Sequence, residues 1–273
     1  MTTSSTIAWP KPWNLWFRPE DVPLPKACCC VGLGYYRMNA PVGHPLFGKG
    51  FPCVCKTNQI ERNRAEELRH WSGMGKQQLL SLTFSAFQPE CCVPPSDSHV
   101  PKATIVNEMV KVKKLCQDYA KNPDGWLVLW GKVGCGKTHL ACAIINEVLA
   151  AGHGAHFNSV AGMLDLLRSS YEFGAFDTWF KRLQGVAVLA LDDLGAERGT
   201  DWSREKLFEL IDYRYMNRLP LVVTTNLSLT DERIQLRLRS RLQEGSRIRQ
   251  GWSRVLPLPA GDIRLMREWV GNT

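Results

Sequence analysis

From Lys102 onward the sequence predicts a doubly wound α/β fold on a parallel sheet. Two observations carry this. Short apolar runs of strand length alternate with helical stretches, and the run Val186–Leu191 is apolar throughout, with no polar face. A strand buried on both faces is what a parallel sheet needs when helices cover both of its sides. Strand–helix alternation is the sequence form of that layering.

The elements follow in order. Residues 1–26 carry Pro10, Pro12, Pro19, Pro23 and Pro25, interleaved with Trp9, Trp13, Trp16 and Phe17. Proline at this density forbids a long helix and favours an extended arm. Such an arm either packs back on its own domain or anchors a partner. Residues 27–56 are rich in Gly and Cys, and 58–72 read as a charged helix ended by Gly73 and Gly75. Pro89, Pro94, Pro95 and Pro101 mark 85–101 as a linker. A helix is expected over Lys102–Tyr119, with Val106, Met109, Val110 and Cys116 on one face. Strands are expected at Trp126–Trp130, His156–Asn158, Val186–Leu191, Leu221–Thr225 and Val255–Leu258. Helices are expected at Thr138–Ala150, where Leu140, Ile144 and Val148 share a face, and at Ser203–Arg218. The expected organisation is an arm (1–26), a cysteine-bearing domain with linker (27–100) and an α/β domain (101–273).

Composition excludes several classes. Of 273 residues, 44% are hydrophobic and 22% charged, so the chain has the apolar content of an ordinary folded protein. No apolar run approaches the ~20 residues of a membrane helix. The start, MTTSSTIAWPKPWNLWF, lacks a basic segment followed by an apolar core, so no secretory leader is expected. The net charge of +8 is uneven: residues 231–273 hold nine arginines and no lysine. Arginine alone points to planar, bidentate recognition of phosphate or carboxylate.

The run Gly131-Lys132-Val133-Gly134-Cys135-Gly136-Lys137-Thr138 matches GxxxxGK[ST] in full, between an expected strand and an expected helix. Its glycines let the backbone curl so that N–H groups face phosphate oxygens. The helix that follows offers its positive end to the same anion. Lys137 is then expected on the β- and γ-phosphates of ATP, and the Thr138 hydroxyl on Mg²⁺. Asp192 and Asp193 end an apolar strand, on the crevice side of such a sheet. Asp192 is expected to hold Mg²⁺ through water and Asp193 to orient and deprotonate the attacking water. Asn226 follows another buried strand and is placed to hydrogen-bond the γ-phosphate or that water. Arg233, Arg237 and Arg241 recur at four-residue spacing, which on a helix makes one face. They suit an arginine finger for a neighbouring subunit, phosphate contacts along DNA, or a salt-bridged surface.

Cysteines cluster at Cys28, Cys29, Cys30 and at Cys53, Cys55. With no leader expected, metal-bound or free thiols in a reducing compartment fit better than disulfides. Cys30-Val31-Gly32-Leu33-Gly34 has the form of one half of a zinc knuckle, and Cys53, Cys55 supply a second pair for tetrahedral Zn²⁺. A CxxC pair would need a cysteine at Ala27. Cys28 or Cys29 must substitute, with His44 in reserve, so the expected set is Cys28, Cys30, Cys53 and Cys55. Buried free thiols are the alternative.

In order, GKVGCGKT, VLALDDLG, VVTTNLS and LRSRLQEG resemble the IstB/DnaC branch of AAA+ ATPases, over roughly residues 100–265. The resemblance implies a P-loop core without a full helical lid, in keeping with the few residues after Leu258. It implies Walker A roles for Lys137 and Thr138, Walker B roles for Asp192 and Asp193, and a sensor-1 role for Asn226. Arg241 corresponds to the arginine finger, with Arg237 one turn earlier as second choice, and Arg264 to a sensor-2 position. Loaders of the DnaI type carry a zinc-binding domain that docks on the helicase. The function implied is thus a cytoplasmic helicase loader, of a bacterial cell or a phage-infected one. It would bind the hexameric replicative helicase and single-stranded DNA and assemble into a ring or spiral, a hexamer by the same resemblance. A transposition helper ATPase and a non-hydrolysing ATP-switched adaptor are the alternatives.

Overall fold

The computed structural model describes residues 28, 30, 32–37, 42, 47–75, 77–94, 99–196, 199–245 and 255–262. The arm expected over 1–26, the reserve ligand His44 and Arg264 lie outside the described residues. The chain divides into two compact units, Met1–Glu66 and Glu67–Thr273.

In the first unit, β1 (Tyr35–Arg37) pairs antiparallel with β2 (Gly50–Pro52). Helix α1 (Val54–Trp71) starts four residues earlier than the sequence suggests and so takes in Cys55; the short helix α2 (Gln77–Ser81) comes next in the chain. Gly32 and Gly34 have φ of 88° and 76°, a region open to glycine, and turn the chain ahead of β1.

The second unit is built on five parallel strands. These are β3 (Trp126–Gly131), β4 (Ala155–Ser159), β5 (Val188–Leu194), β6 (Leu221–Thr225) and β7 (Val255–Leu258), in the spatial order β4-β5-β6-β3-β7. All five expected strands are present, and β5 begins two residues later than expected. Strand residues alternate between two cores, as the two-residue period requires. Leu127, Leu129, Val188, Ala190 and Val222 join one core with α3 (Lys102–Lys121) and α4 (Lys137–Ala150). Trp126, Val128, Leu189, Leu191, Leu221 and Val223 join the other. That second core is completed by α5 (Val160–Ser170), α6 (Phe176–Gly185), α7 (Asp201–Met216) and α8 (Leu236–Gly245). Helix starts are capped where sequence allows: Ser159 Oγ accepts from Gly162 N–H at 3.0 Å, and Thr200 Oγ1 from Ser203 N–H at 3.2 Å.

Three sequence expectations are corrected here. Helix α3 buries Ile105, Met109, Val112 and Cys116, whereas Val110 is exposed; the apolar face is rotated from the expected one. Arg233 precedes α8 and pairs with Asp231 at 2.8 Å, so it does not share a helix face with Arg237 and Arg241. Residues 85–94 are no free linker. Phe84, Phe87 and Cys92 are buried in the α3–α4 core with Met74. The collar formed by 72–93 also binds the sheet edges. Phe157 N–H of edge strand β4 donates to Ser72 O at 2.7 Å, and Gly261 N–H, just past edge strand β7, donates to Val93 O at 2.8 Å. Gly73 makes the first contact possible: its φ is 71°, and a Cβ there would lie 2.0 Å from Phe157 O. Covered edges do not template further strand pairing.

Candidate functional site

The strand order brings three sequence segments together. β6 lies between β5 and β3, so the carboxyl ends of three adjacent parallel strands carry the phosphate loop, the acid pair and Asn226. Such strand ends form the ligand crevice of a doubly wound sheet. The loop is tightly folded. Gly134 and Gly136 have φ of 77° and 99°, and Gly136 caps α4. A Cβ at Gly131 would meet Leu258 O at 2.7 Å and Cys135 Sγ at 2.9 Å, so the loop's first glycine is required by close approach. Lys132 and Val133 lie on the loop's outer turn, and Val133 is exposed. Cys135 is buried, and burial pushes its thiol up while the adjacent Lys137 ammonium pulls the other way.

The polar side chains form one network. Lys137 is buried, and its Nζ donates to Gly131 O at 2.9 Å, Lys132 O at 2.8 Å and Asn226 Oδ1 at 2.6 Å. Asn226 Nδ2 in turn donates to Asp193 Oδ1 at 3.0 Å. Thr138 Oγ1 is 3.0 Å from both oxygens of Asp192. Thr224 Oγ1 donates to Asp192 Oδ1 at 2.6 Å and accepts from Asp193 N–H at 3.0 Å. Burial pushes the Asp192 carboxyl up, while the hydroxyls of Thr224 and Thr138 pull it down; the Asp193 charge raises it and Lys137 lowers it. The set offers a cation, a hydroxyl–carboxylate pair suited to Mg²⁺, and an exposed carboxylate oriented by an amide. These are the parts phosphoryl transfer to water needs.

The structure thus brings Lys137, Thr138, Asp192, Asp193 and Asn226 together in one hydrogen-bonded group. Arg241 and Arg237 are not joined to them. Arg241 Nε donates to Asp212 Oδ1 at 2.8 Å, and its guanidinium lies 4.3 Å from the Tyr215 ring, both on α7. Arg237 is exposed on α8. Sequence reasoning missed Thr224. Its one signal was a polar residue in a strand otherwise buried on both faces.

A second cluster lies in the first unit. The sulfurs of Cys28, Cys30, Cys53 and Cys55 all lie within 4.8 Å of one another. Neighbouring Sγ–Sγ distances are 3.3 Å (Cys30–Cys55), 3.7 Å (Cys28–Cys30) and 3.9 Å (Cys53–Cys28). Four sulfurs at 2.3 Å from one tetrahedral Zn²⁺ stand about 3.8 Å apart, so the cluster has the size of such a site. The thiols also conflict over protons. A hydrogen bond from Cys55 holds Cys30 low, and the reciprocal bond pushes Cys55 up to about 12. A divalent cation in place of the protons resolves that conflict. None of the nine described cysteines is in a disulfide.

With this geometry in view, similarity to known proteins is informative. A family model described as an IstB-like ATP binding protein matches residues 102–236. The uncharacterized protein YqaM of Bacillus subtilis (strain 168) is 34% identical over 112 residues, 38% of this chain and 35% of that protein. The replicative helicase loader DnaI of the same organism is 30% identical over 103 residues, 37% of this chain and 33% of that protein. The chain thus spans about a third of the length of these curated relatives. The crystal structure of the DnaC helicase loader superposes with a TM-score of 0.50 at 23% identity, over 62% of this chain and 96% of that chain. The two chains share the α/β fold on a parallel sheet.

Proposed function

We propose that the chain hydrolyses ATP and loads a replicative helicase onto single-stranded DNA, a reading supported by the match of residues 102–236 to the IstB-like ATP binding protein model. The observation that carries the reading is the continuous link Lys137–Asn226–Asp193 beside the Thr138–Asp192 pair. Lys137 and the loop N–H groups bind the β- and γ-phosphates. Thr138 and Asp192 would hold Mg²⁺, which supplies charge neutralisation at the phosphates. Asp193 takes a proton from a water as that water's oxygen bonds the γ-phosphorus. The bond to the bridging oxygen breaks, and ADP and phosphate leave. Asn226 keeps Asp193 aimed and ties it to the phosphate-binding lysine.

DNA binding is supported by an aromatic surface between α5 and α7. Tyr171 stacks on Phe176 at 4.2 Å with planes 9° apart, and Phe173, which lies between them in sequence, is 82% exposed. Arg168 lies 5.1 Å from the Trp202 ring. Rings and cations side by side suit stacked bases of a single strand. The four cysteines would hold Zn²⁺, which acts as a staple for a unit with little core of its own. This unit, with the aromatic arm, is the proposed grip on the hexameric helicase. Arg241, or Arg237 one turn earlier, is proposed to reach a neighbour's ATP in a ring or spiral of copies. The setting proposed is the cytoplasm of a bacterial cell or of a phage-infected one. Among the described residues no helix is long and apolar enough to cross a membrane.

The test has two arms. ATP turnover by the full chain is expected to vanish in Lys137→Ala; retained turnover sinks the site assignment. Capture by a hexameric replicative helicase is expected, and is expected to be lost on deleting residues 1–60; no capture sinks the loading reading. The arginine role is read by mixing: Arg241→Ala chains, inactive alone, are expected to regain turnover with Lys137→Ala chains that bring an intact arginine. A second reading, a transposition helper, is favoured by the IstB-like family match, and binding to duplex but not single-stranded DNA would select it.

A further inference from the structure

Asp192 and Asp193 are neighbours on one strand, and neighbours on a strand point to opposite faces. Here both carboxylates enter the same network, Asp192 against Thr138 and Asp193 against Asn226. The ladder between β5 and β6 explains how. Leu191 pairs with Val223 and Leu194 with Thr225, so β5 has one more residue in this interval than β6. This is a bulge, a device that re-aims a side chain. Its effect is visible in the packing: Leu191 and Leu194, three apart, lie in the same core. Asp193 adopts φ 58°, which a residue with a side chain seldom takes unless its surroundings hold it there.

One residue opposes both acids. Thr224 stands between Val223 and Thr225, is fully buried, and its hydroxyl makes a bond to each acid: it donates to the Asp192 carboxylate and accepts from the Asp193 backbone N–H. We infer that Thr224 is the positioning residue of this site. Its hydroxyl supplies the partners that the interrupted ladder withholds, fixes the bulge, and so holds both acids on the nucleotide side. The inference rests on the ATPase reading above and names a residue that the phosphate-loop and acid motifs do not contain. A valine at 224 would fill the same space and leave both bonds unmade; a serine would keep them.

The experiment compares full-length wild type, Thr224→Val and Thr224→Ser in steady-state ATP turnover and in equilibrium binding of a fluorescent ATP analogue. Thr224→Val is expected to lose roughly 10- to 100-fold in kcat, the effect of a small misplacement of reacting groups. Its nucleotide affinity is expected to stay within about threefold, since the lysine and loop are untouched. Thr224→Ser is expected to recover most of the turnover. If Thr224→Val does not fold, Thr224→Cys, whose thiol is a poor donor of similar size, takes its place. Wild-type kcat in the valine or cysteine variant overturns the inference. So does a loss confined to affinity, or equal loss in the serine variant. A wild-type chain that does not turn over ATP overturns the ATPase reading instead.

Discussion

Asn226 touches both sides of the proposed chemistry, so its removal gives a sharp prediction. Asn226→Ala deletes an acceptor 2.6 Å from Lys137 Nζ and a donor 3.0 Å from Asp193 Oδ1. Lys137 keeps two carbonyl partners, Gly131 O at 2.9 Å and Lys132 O at 2.8 Å, so its position on the phosphate loop survives. Asp193, exposed, loses the donor that aims it. Loss of one preorganised hydrogen-bond donor at a reacting centre costs about 2.7–4 kcal/mol, or 10²–10³ in kcat. Ground-state binding should change by less than about 1.4 kcal/mol, tenfold in Kd, because the loop and lysine carry it. Single-turnover and steady-state ATP hydrolysis measure the first quantity, and titration with an ATP analogue the second. Asn226→Asp should be at least as slow, since it sets a carboxylate beside Asp193. A kcat within about threefold of wild type, or a loss carried wholly by Kd, would refute the role.

Three further predictions concern the frame around the site. Purified chain should hold one zinc per molecule, and Cys53→Ser should release it; less than half an equivalent in the wild type would remove zinc from the account. Arg214 is fully buried, and its guanidinium donates to the carbonyls of Leu183, Gln184, Val186, Ala187 and Pro220, with burial drawing it down to about 10. Arg214→Met strands those carbonyls and should cost about 3–5 kcal/mol, a fall in Tm of roughly 6–20 °C; calorimetry showing a shift under 2 °C would contradict it. His156 is buried, its Nδ1 is 2.7 Å from Trp71 O, and burial lowers its affinity for a proton. The unfolded chain then binds more protons than the folded one as pH falls below about 6.5, so stability should drop with pH in that window. His156→Gln should flatten this part of the Tm–pH curve, and an unchanged slope would show that other groups set it.

What was legible in the sequence was local. The phosphate loop declares itself because eight consecutive residues must make one turn, and their types suffice to specify it. Strand positions were legible because a doubly covered strand cannot afford polar faces. The collar was not legible. Its buried residues Met74, Phe84, Phe87 and Cys92 follow no helical or strand period, and the prolines beside them carry the same signal as a linker. What buries them is the far surface of α3 and α4, a non-local fact. The α3 face failed for a related reason: Val106 and Val110 form as plausible a stripe as Ile105 and Val112, and the choice is made by which stripe the sheet and collar meet.

The acid pair shows the limit most clearly. By strand periodicity alone, a pair of adjacent acids supplies one group to the crevice and one to the opposite core. Reading both as functional therefore contradicted the period used to place the strand. Strand order resolves half of the contradiction, because β6 between β5 and β3 puts a third chain segment within reach of both acids. The unequal step between Leu191 and Leu194 against Val223 and Thr225 resolves the rest. An apolar residue at 224 would have satisfied every sequence rule for a buried strand and left the bulge without partners. The hydroxyl there is a polar exception in a buried strand, and such exceptions concentrate where a fold serves chemistry at some expense to its own regularity.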